Sequence, residues 1–200
     1  MNQLPFEHYV KKLPASPLPT TRQCQERTTD NISKWNTASC NESMFGLFHS
    51  EPYHDSQLGD FERSHGHWRS RIGLGPAGIF RLSLAGDRRA PHSQALQLSR
   101  ELRERFPSLV PEIQHGLFEH YLPYKEAVEE GIEMGGSFPP IADSVEVWSH
   151  VKPAHVLIET LNGEWRVEIA FTTDWDVEHT VAAIYTDWRF IELNGSVRGV

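Results

Sequence analysis

Five residues that lie between two alternating stretches carry the side chains best suited to chemistry: Asp174, Trp175, Asp176, Glu178 and His179. Three carboxylates and an imidazole could hold a divalent cation, because hard cations take several oxygen ligands and histidine adds a nitrogen ligand for zinc, manganese or iron. In the structural alternative Asp176 caps the turn, Trp175 plugs the edge of the core and His179 hydrogen-bonds across the sheet. The sequence favours the structural interpretation, because no second ligand group stands at a diagnostic spacing.

Other histidines and glycines give weaker signals. His65 and His67 would share one face of a strand, but a short pair without partner ligands is more typical of a solvated strand entry. His115 and His120 would lie about 140° apart on a helix, so they form no ligand set. The glycine-rich stretch 73–78 is followed by a strand, whereas a dinucleotide fingerprint requires a helix N-terminus at that point.

Alternation of apolar and polar residues predicts strands on both sides of the Asp174–His179 cluster. The predicted strands are His67–Leu74, Ile79–Leu84, Ala154–Thr160, Trp165–Phe171, Val181–Tyr185 and Phe190–Leu193. Asn162-Gly163 is a strong hairpin signal, and Gly75–Gly78 supplies another turn. The first two strands therefore form a hairpin and the last three a meander, while the polar stretch up to Asp60 is expected to be a loop.

Helical periodicity marks the segment between these strand groups. Apolar residues from Ala95 to Phe106 recur at helical spacing, and Ser108 is predicted to be the N-cap of a second helix. That helix is expected to break near Pro123 and to resume until about Glu133. The sequence thus predicts an α+β fold, in which an antiparallel sheet of N-terminal hairpin and C-terminal meander packs on a two-helix block.

Composition predicts one α+β domain over residues 43–200, preceded by an irregular N-terminal extension over residues 1–42 that is rich in proline and polar residues. The net charge of −8 is uneven, since residues 1–100 carry 12 Lys and Arg against 9 Asp and Glu, and residues 101–200 carry 7 against 18. An acidic half repels phosphate, which argues against nucleic acid and favours a protein partner with a basic surface. The alternative is that arginines of the first half pair with those acids inside the fold.

Cysteine content and hydropathy indicate the compartment. Cys24 and Cys40 are too few to staple a secreted fold and lack zinc-site spacing. The N-terminus has no signal-peptide core, and no run approaches the roughly 18 apolar residues of a membrane helix. We therefore expect a cytoplasmic protein that contacts no membrane.

Several motifs together resemble a known family. They are Gly66-His67-Trp68, the helical block that ends in a tyrosine, and Trp175–His179 followed by a strand and Asn194-Gly195. This pattern resembles a bacterial family of domains of unknown function with a Trp-Asp-x-Glu-His-Gly signature near its C-terminus, over roughly residues 45–198. Thr180 stands where the signature has glycine. The resemblance implies the architecture and no established activity, and some related small domains look like immunity proteins that neutralise bacterial toxins.

Glutamates at helical spacing add one more candidate surface: Glu126, Glu129, Glu130 and Glu133. Such a face is usually only solvated, but it could dock a basic partner.

The preferred hypothesis is a non-enzymatic, immunity-type protein-binding module without a cofactor, whose C-terminal half is acidic. Its predicted binding residues are Trp175, Asp176, Glu178, His179, His67 and Trp68. The alternative is a metal-dependent hydrolase that uses Asp174, Asp176, Glu178 and His179, with His67 as a helper.

Overall fold

The computed structural model describes residues 50–133 and 138–194, and eight strands within these ranges form one sheet. The strands are β1 (Tyr53–Asp55), β2 (Gly59–Ser64), β3 (His67–Gly73), β4 (Ile79–Leu84), β5 (Val151–Leu161), β6 (Glu164–Thr173), β7 (Thr180–Thr186) and β8 (Arg189–Asn194). Their order in the sheet is their order in the chain. Neighbouring strands are antiparallel except β4 and β5, which run parallel. Two meanders are thus joined at one parallel seam.

The connection between the two meanders contains helix α1 (Ser93–Glu129) and a short 3-10 helix (Glu146–His150). One stripe of α1 is buried: Ala95, Leu98, Leu102, Phe106, Leu109, Ile113, Leu117 and Tyr121. These positions recur every three or four residues, so they share one helix face. The helix contacts β5, β7 and β8, and its stripe forms the core together with one face of the sheet.

The predicted two-helix block is wrong, because α1 is a single helix of 37 residues that contains Pro107, Pro111 and Pro123. Ser108 lies inside this helix, where its Oγ donates to the Arg105 carbonyl at 2.7 Å. A proline inside a helix costs about 3 kcal/mol. Each fully buried apolar side chain contributes about 1.5–3 kcal/mol, so the unbroken stripe outweighs the prolines, all three of which point to solvent.

The strand pattern around β6 is confirmed on the helix side of the sheet, where Val167, Ile169 and Phe171 are buried. The central positions of the opposite face are buried as well: Leu157, Ala170, Ala182 and Ile184. On this face His155 Nε2 lies 3.2 Å from Glu168 Oε1, in a buried pair. The residues in the middle of the sheet are therefore buried on both faces.

The expected polar loop before Asp60 is wrong, because β1 and β2 form a short hairpin there. Asp55 Oδ1 accepts hydrogen bonds from the backbone N–H groups of Gln57 and Leu58, both at 3.0 Å. The other Asp55 oxygen accepts a hydrogen bond from Arg100 Nη2 of α1. This ion pair joins the edge hairpin to the helix. The hairpin itself could not be predicted, because alternation over so few residues gives no clear strand signal.

The α+β class with a mostly antiparallel sheet is confirmed. None of the described helices combines the length and the apolar character that a bilayer crossing requires. The predicted extension over residues 1–42 lies outside the described residues. The prediction of one domain over residues 43–200 stays a prediction.

Candidate functional site

Residues 174–179 connect β6 to β7 and are called the Asp176 loop below. Trp175 anchors it in the core, where only 3% of the residue is exposed. Its ring packs edge-on against Tyr121 of α1, with ring centroids 5.5 Å apart. Its indole Nε1 donates a hydrogen bond to His120 Nδ1 at 3.1 Å. Because the indole is a donor only, His120 accepts through an unprotonated Nδ1.

Asp176 is the polar centre of the loop and is itself buried. Its backbone N–H donates to Thr173 Oγ1 at 3.1 Å, and its carboxylate Oδ2 accepts a hydrogen bond from Tyr124 Oη at 2.8 Å. Oδ1 accepts the backbone N–H of His179 at 3.1 Å, and His179 Nδ1 lies 3.0 Å from the same oxygen. The carboxylate therefore caps its own turn and ties the loop to the last part of α1.

The pKa values of this cluster follow from burial and from these bonds. Burial raises the pKa of the Asp176 carboxyl, but hydrogen bonds from Tyr124 and His179 outweigh it and leave the pKa below its ordinary value. Burial and the hydrogen bond to Asp176 raise the pKa of Tyr124 to about 12. Burial lowers the pKa of His120, which outweighs the opposite effect of the Asp176 charge. The cluster thus holds one carboxylate, a neutral phenol and a neutral His120 at pH 7.

Of the other loop residues in the described structure, only His179 contacts the Asp176 carboxylate. Asp174, Val177, Glu178 and His179 are exposed, and Val177 retains 77% of its accessible surface. Asp174 Oδ2 lies 3.2 Å from His150 Nδ1 rather than beside Asp176. Across residues 50–133 and 138–194, no group of three or more His, Cys, Asp or Glu side chains is arranged to hold a metal ion. Of the four predicted metal ligands, Asp176 and His179 are therefore in contact, but Asp174 contacts His150 instead, so the four do not form one ligand set.

His67 and Trp68 lie far from the Asp176 loop. His67 Nε2 contacts Glu159 Oε2 of β5 at 3.2 Å, whereas Trp68 is buried and donates from Nε1 to the Asp87 carbonyl at 2.9 Å. The loop begins after Thr173, whose partner on β5 is Val151. Glu159 stands eight residues further along β5, which is roughly 26 Å at about 3.3 Å per residue. His67 and Trp68 therefore do not assist the loop.

His120 and Tyr124 belong to this cluster although sequence patterns alone did not indicate it. The sequence pattern relates His120 only to His115 and assigns no role to Tyr124. Their rings lie 5.3 Å apart, as expected for residues four apart on one helix. That spacing is a detectable signal, but the contact with Asp176 is tertiary and leaves no trace in the local sequence.

Exposed acidic residues follow Tyr124 in the chain and flank Asp176 in the loop. Glu126, Glu129, Glu130 and Glu133 at the end of α1 and beyond are exposed, as are Asp174 and Glu178 of the loop. We call these six residues the acidic surface. Lys125 is the cation closest to it in sequence, and its Nζ lies 4.0 Å from Glu129 Oε1. Two acidic segments that are 40 or more residues apart in sequence are thus joined through the Tyr124–Asp176 hydrogen bond.

An apolar cavity of about 580 Å³ lies elsewhere, between the middle of α1, the β3–β4 turn and Trp148. Its size suits a small molecule. Gln114 in its wall is engaged, since Oε1 accepts from Trp148 Nε1 at 3.0 Å and Nε2 donates to Ser144 Oγ at 3.1 Å. With few polar groups to orient a ligand, the cavity does not define a ligand class.

The fold and this loop define an α+β domain in which one long helix covers an eight-stranded, mostly antiparallel sheet. The chain belongs to the family described as "Domain of unknown function (DUF6985)", whose family model matches residues 58–199. Comparisons with curated proteins and with solved structures gave no match. Membership of a family of unknown function is thereby confirmed, while the bacterial origin and the signature stay predictions.

Proposed function

We propose that this protein is a non-enzymatic binding module of the immunity type, which uses its acidic surface to bind a protein with a basic surface. The observation that carries the proposal is the hydrogen bond between Tyr124 and Asp176, at 2.8 Å. This bond unites the acidic end of α1 with the acidic loop. A patch of one charge attracts an oppositely charged protein and accelerates its association.

Two exposed apolar residues support a protein partner rather than a purely ionic contact. Val177 lies at the tip of the loop, and Ile132 follows the end of α1 with 54% of its surface accessible. Interfaces combine apolar contact area with a polar rim. An apolar residue at the tip of a fixed loop, beside exposed carboxylates, offers both elements.

The loop is better suited to holding shape than to catalysis. The carboxylate oxygens of Asp176 accept hydrogen bonds from Tyr124 and His179, and Thr173 Oγ1 accepts one from the Asp176 backbone N–H. A nucleophilic mechanism needs a nucleophile within reach of a base. No Ser, Thr or Cys side chain of the described residues makes a hydrogen bond to His179. The metal-dependent hydrolase has no comparable support, since Asp174 and Asp176 face different partners.

The decisive experiment compares two double charge reversals of equal net charge in the full chain. Glu130→Lys with Glu178→Lys alters the acidic surface, whereas Glu62→Lys with Glu164→Lys alters exposed residues of the β2 strand and the β5–β6 hairpin. Proteins captured from the host by the wild type at low salt are identified, purified and titrated against all three forms.

We expect a captured protein with a basic surface, whose affinity weakens by about tenfold or more for the first variant and with rising salt. The control variant should bind within about threefold of the wild type, because distant exposed charges are screened. Equal weakening by both variants, or capture of acidic proteins only, would contradict the proposal. Stoichiometric zinc or manganese in protein purified without a His tag would favour the hydrolase.

A further inference from the structure

The sheet face opposite α1 carries two arginines that stand directly across from each other. Arg71 of β3 is the register partner of Arg81 of β4, and both are exposed. Directly opposed residues on antiparallel strands have Cβ atoms about 4.5–5.5 Å apart, and like charges there are destabilising. The arginine ion pairs of the described residues involve Arg100, Arg105 and Arg166 instead. Among residues 50–133 and 138–194, Arg71 and Arg81 thus form a cationic pair without a carboxylate partner.

A β-bulge in β5 fixes one member of this pair. The pairing of β5 with β6 shifts register between Pro153 and His155, which leaves Ala154 without a Cα partner. Arg81 Nε donates a hydrogen bond to the carbonyl of Ala154 at 3.4 Å. Bulges commonly redirect groups at functional positions. The bulge thus holds the guanidinium of Arg81 at the surface through Nε, while its two terminal nitrogens make no hydrogen bond to any other described residue.

The arginines line a surface cavity of about 410 Å³, which we call the arginine pocket. Its other walls are Ile79, Phe80, Pro153, Ala154 and Thr172. Thr172 offers a hydroxyl, and its register partner on β5 is the exposed Lys152. Ile79 leaves 65% of its surface accessible. The pocket therefore combines two guanidinium groups and a hydroxyl with an apolar wall.

We propose that the arginine pocket binds the phosphate group of a small phosphomonoester. Guanidinium groups match phosphate oxygens in a bidentate geometry, and a dianion would cancel the repulsion between Arg71 and Arg81. The hydroxyl of Thr172 supplies a further donor to a phosphate oxygen. Ile79 and Pro153 form the wall against which the organic part of the ligand rests.

The surroundings of the pocket favour a small molecule over a nucleic acid. A nucleic acid requires a long basic stripe that displaces many counterions. The same sheet face continues instead into Glu168 of β6, which pairs with His155, and into Glu159 of β5, which contacts His67. The cavity volume lies within the range of small-ligand sites.

The test titrates the full chain by calorimetry with phenyl phosphate, inorganic phosphate and phenol. Arg71→Gln and Arg81→Gln each remove one guanidinium from the pocket. Arg88→Gln is the matched control, because Arg88 is exposed in the loop that follows β4. We expect phenyl phosphate to bind with a stoichiometry of one and tighter than inorganic phosphate, while phenol does not bind.

Each pocket variant should weaken phenyl phosphate at least about tenfold, as expected for the loss of a charged hydrogen bond. The control should stay within about twofold, because its charge is screened. The melting temperature of unliganded Arg71→Gln should equal or exceed that of the wild type, which shows that the variant is folded.

Three outcomes would overturn the inference. They are the absence of saturable binding, equal weakening by Arg88→Gln, and equal affinity for inorganic phosphate and phenyl phosphate. The result is independent of the acidic surface, since the Glu130→Lys and Glu178→Lys protein should bind phenyl phosphate like the wild type.

Discussion

The Asp176 loop and the arginine pocket are neighbours along β6, but the charged group of the loop has hydrogen-bond partners whereas the charges of the pocket have no counter-ion among the described residues. Thr172 lines the pocket, and the next residue, Thr173, accepts the first hydrogen bond of the loop. In the loop the buried carboxylate receives a donor at each oxygen. In the pocket Arg71 and Arg81 face each other without a counter-ion in the described structure. Charge that is satisfied internally holds the fold, whereas unsatisfied charge is left for a ligand.

The largest expected effect comes from the residue that anchors the loop. Trp175→Ala should lower the free energy of unfolding by about 3–5 kcal/mol, because it leaves a cavity beside Tyr121 and removes the donor to His120. Trp175→Phe should cost less, because it keeps a ring in that space. Urea denaturation measures both. A loss below about 1 kcal/mol for the alanine variant would show that the loop is not part of the core.

Asp176→Ala should destabilise the protein by about 2–3 kcal/mol at pH 7, because it leaves the Tyr124 hydroxyl and the His179 N–H without their acceptor. The pKa of Asp176 is lowered in the folded state from an ordinary value of 3.8. Its stabilisation is therefore complete above that value and is lost as pH falls through the folded pKa. Unfolding curves of wild type and variant should converge in acid.

The exposed Asp174 provides the control for this comparison. Asp174→Ala should change stability little, because surface ion pairs contribute little. If Asp174→Ala were as damaging as Asp176→Ala, the division between a paired centre and a solvated rim of the loop would be wrong.

A smaller effect should come from His120, whose pKa is lowered by burial from an ordinary value of 6.5. The unfolded chain then binds a proton more readily than the folded protein, so stability falls as pH drops below about 6.5 towards the folded pKa. His120→Gln keeps an acceptor for the Trp175 indole but cannot titrate. Thermal melts between pH 7 and pH 5 should show a weaker pH dependence for this variant than for the wild type.

The smallest effect should have the opposite sign. Arg71→Gln should stabilise the unliganded protein by about 0.2–1 kcal/mol, because it relieves the repulsion with Arg81. The benefit should shrink at high salt, where surface charges are screened. Chemical denaturation at two salt concentrations measures it. A destabilised Arg71→Gln protein would mean that the guanidinium is held by the fold after all.

Much of the sheet could be predicted from the sequence, because strand signals are local. His67–Leu74 and Ile79–Leu84 match β3 and β4 to within one residue, and the predicted Asn162-Gly163 turn has positive φ at both residues. The edge hairpin of β1 and β2 was not predicted, because its strands are short and largely polar. The helix was divided wrongly because proline is a local signal, whereas the buried stripe that overrides it is tertiary.

The candidate site was predicted in part. The turn-capping role of Asp176 was anticipated and agrees with its bond to the His179 N–H. Its partners Tyr124 and His120 were missed, since no local pattern shows which residue of a helix will meet a distant loop. The opposed arginines were missed for the same reason, because their meeting depends on the register of β3 and β4.

The parallel seam between β4 and β5 has a consequence for how the chain folds. Every other pair of adjacent strands is connected by a short turn or loop, whereas Arg81 and Ala154 meet across 73 residues. Bringing such distant segments together carries a loop-closure entropy that short hairpins avoid. We therefore expect each meander to form first, through its own hairpins. The slower steps, which set the overall folding rate, should be the docking of α1 and the parallel pairing of β4 with β5.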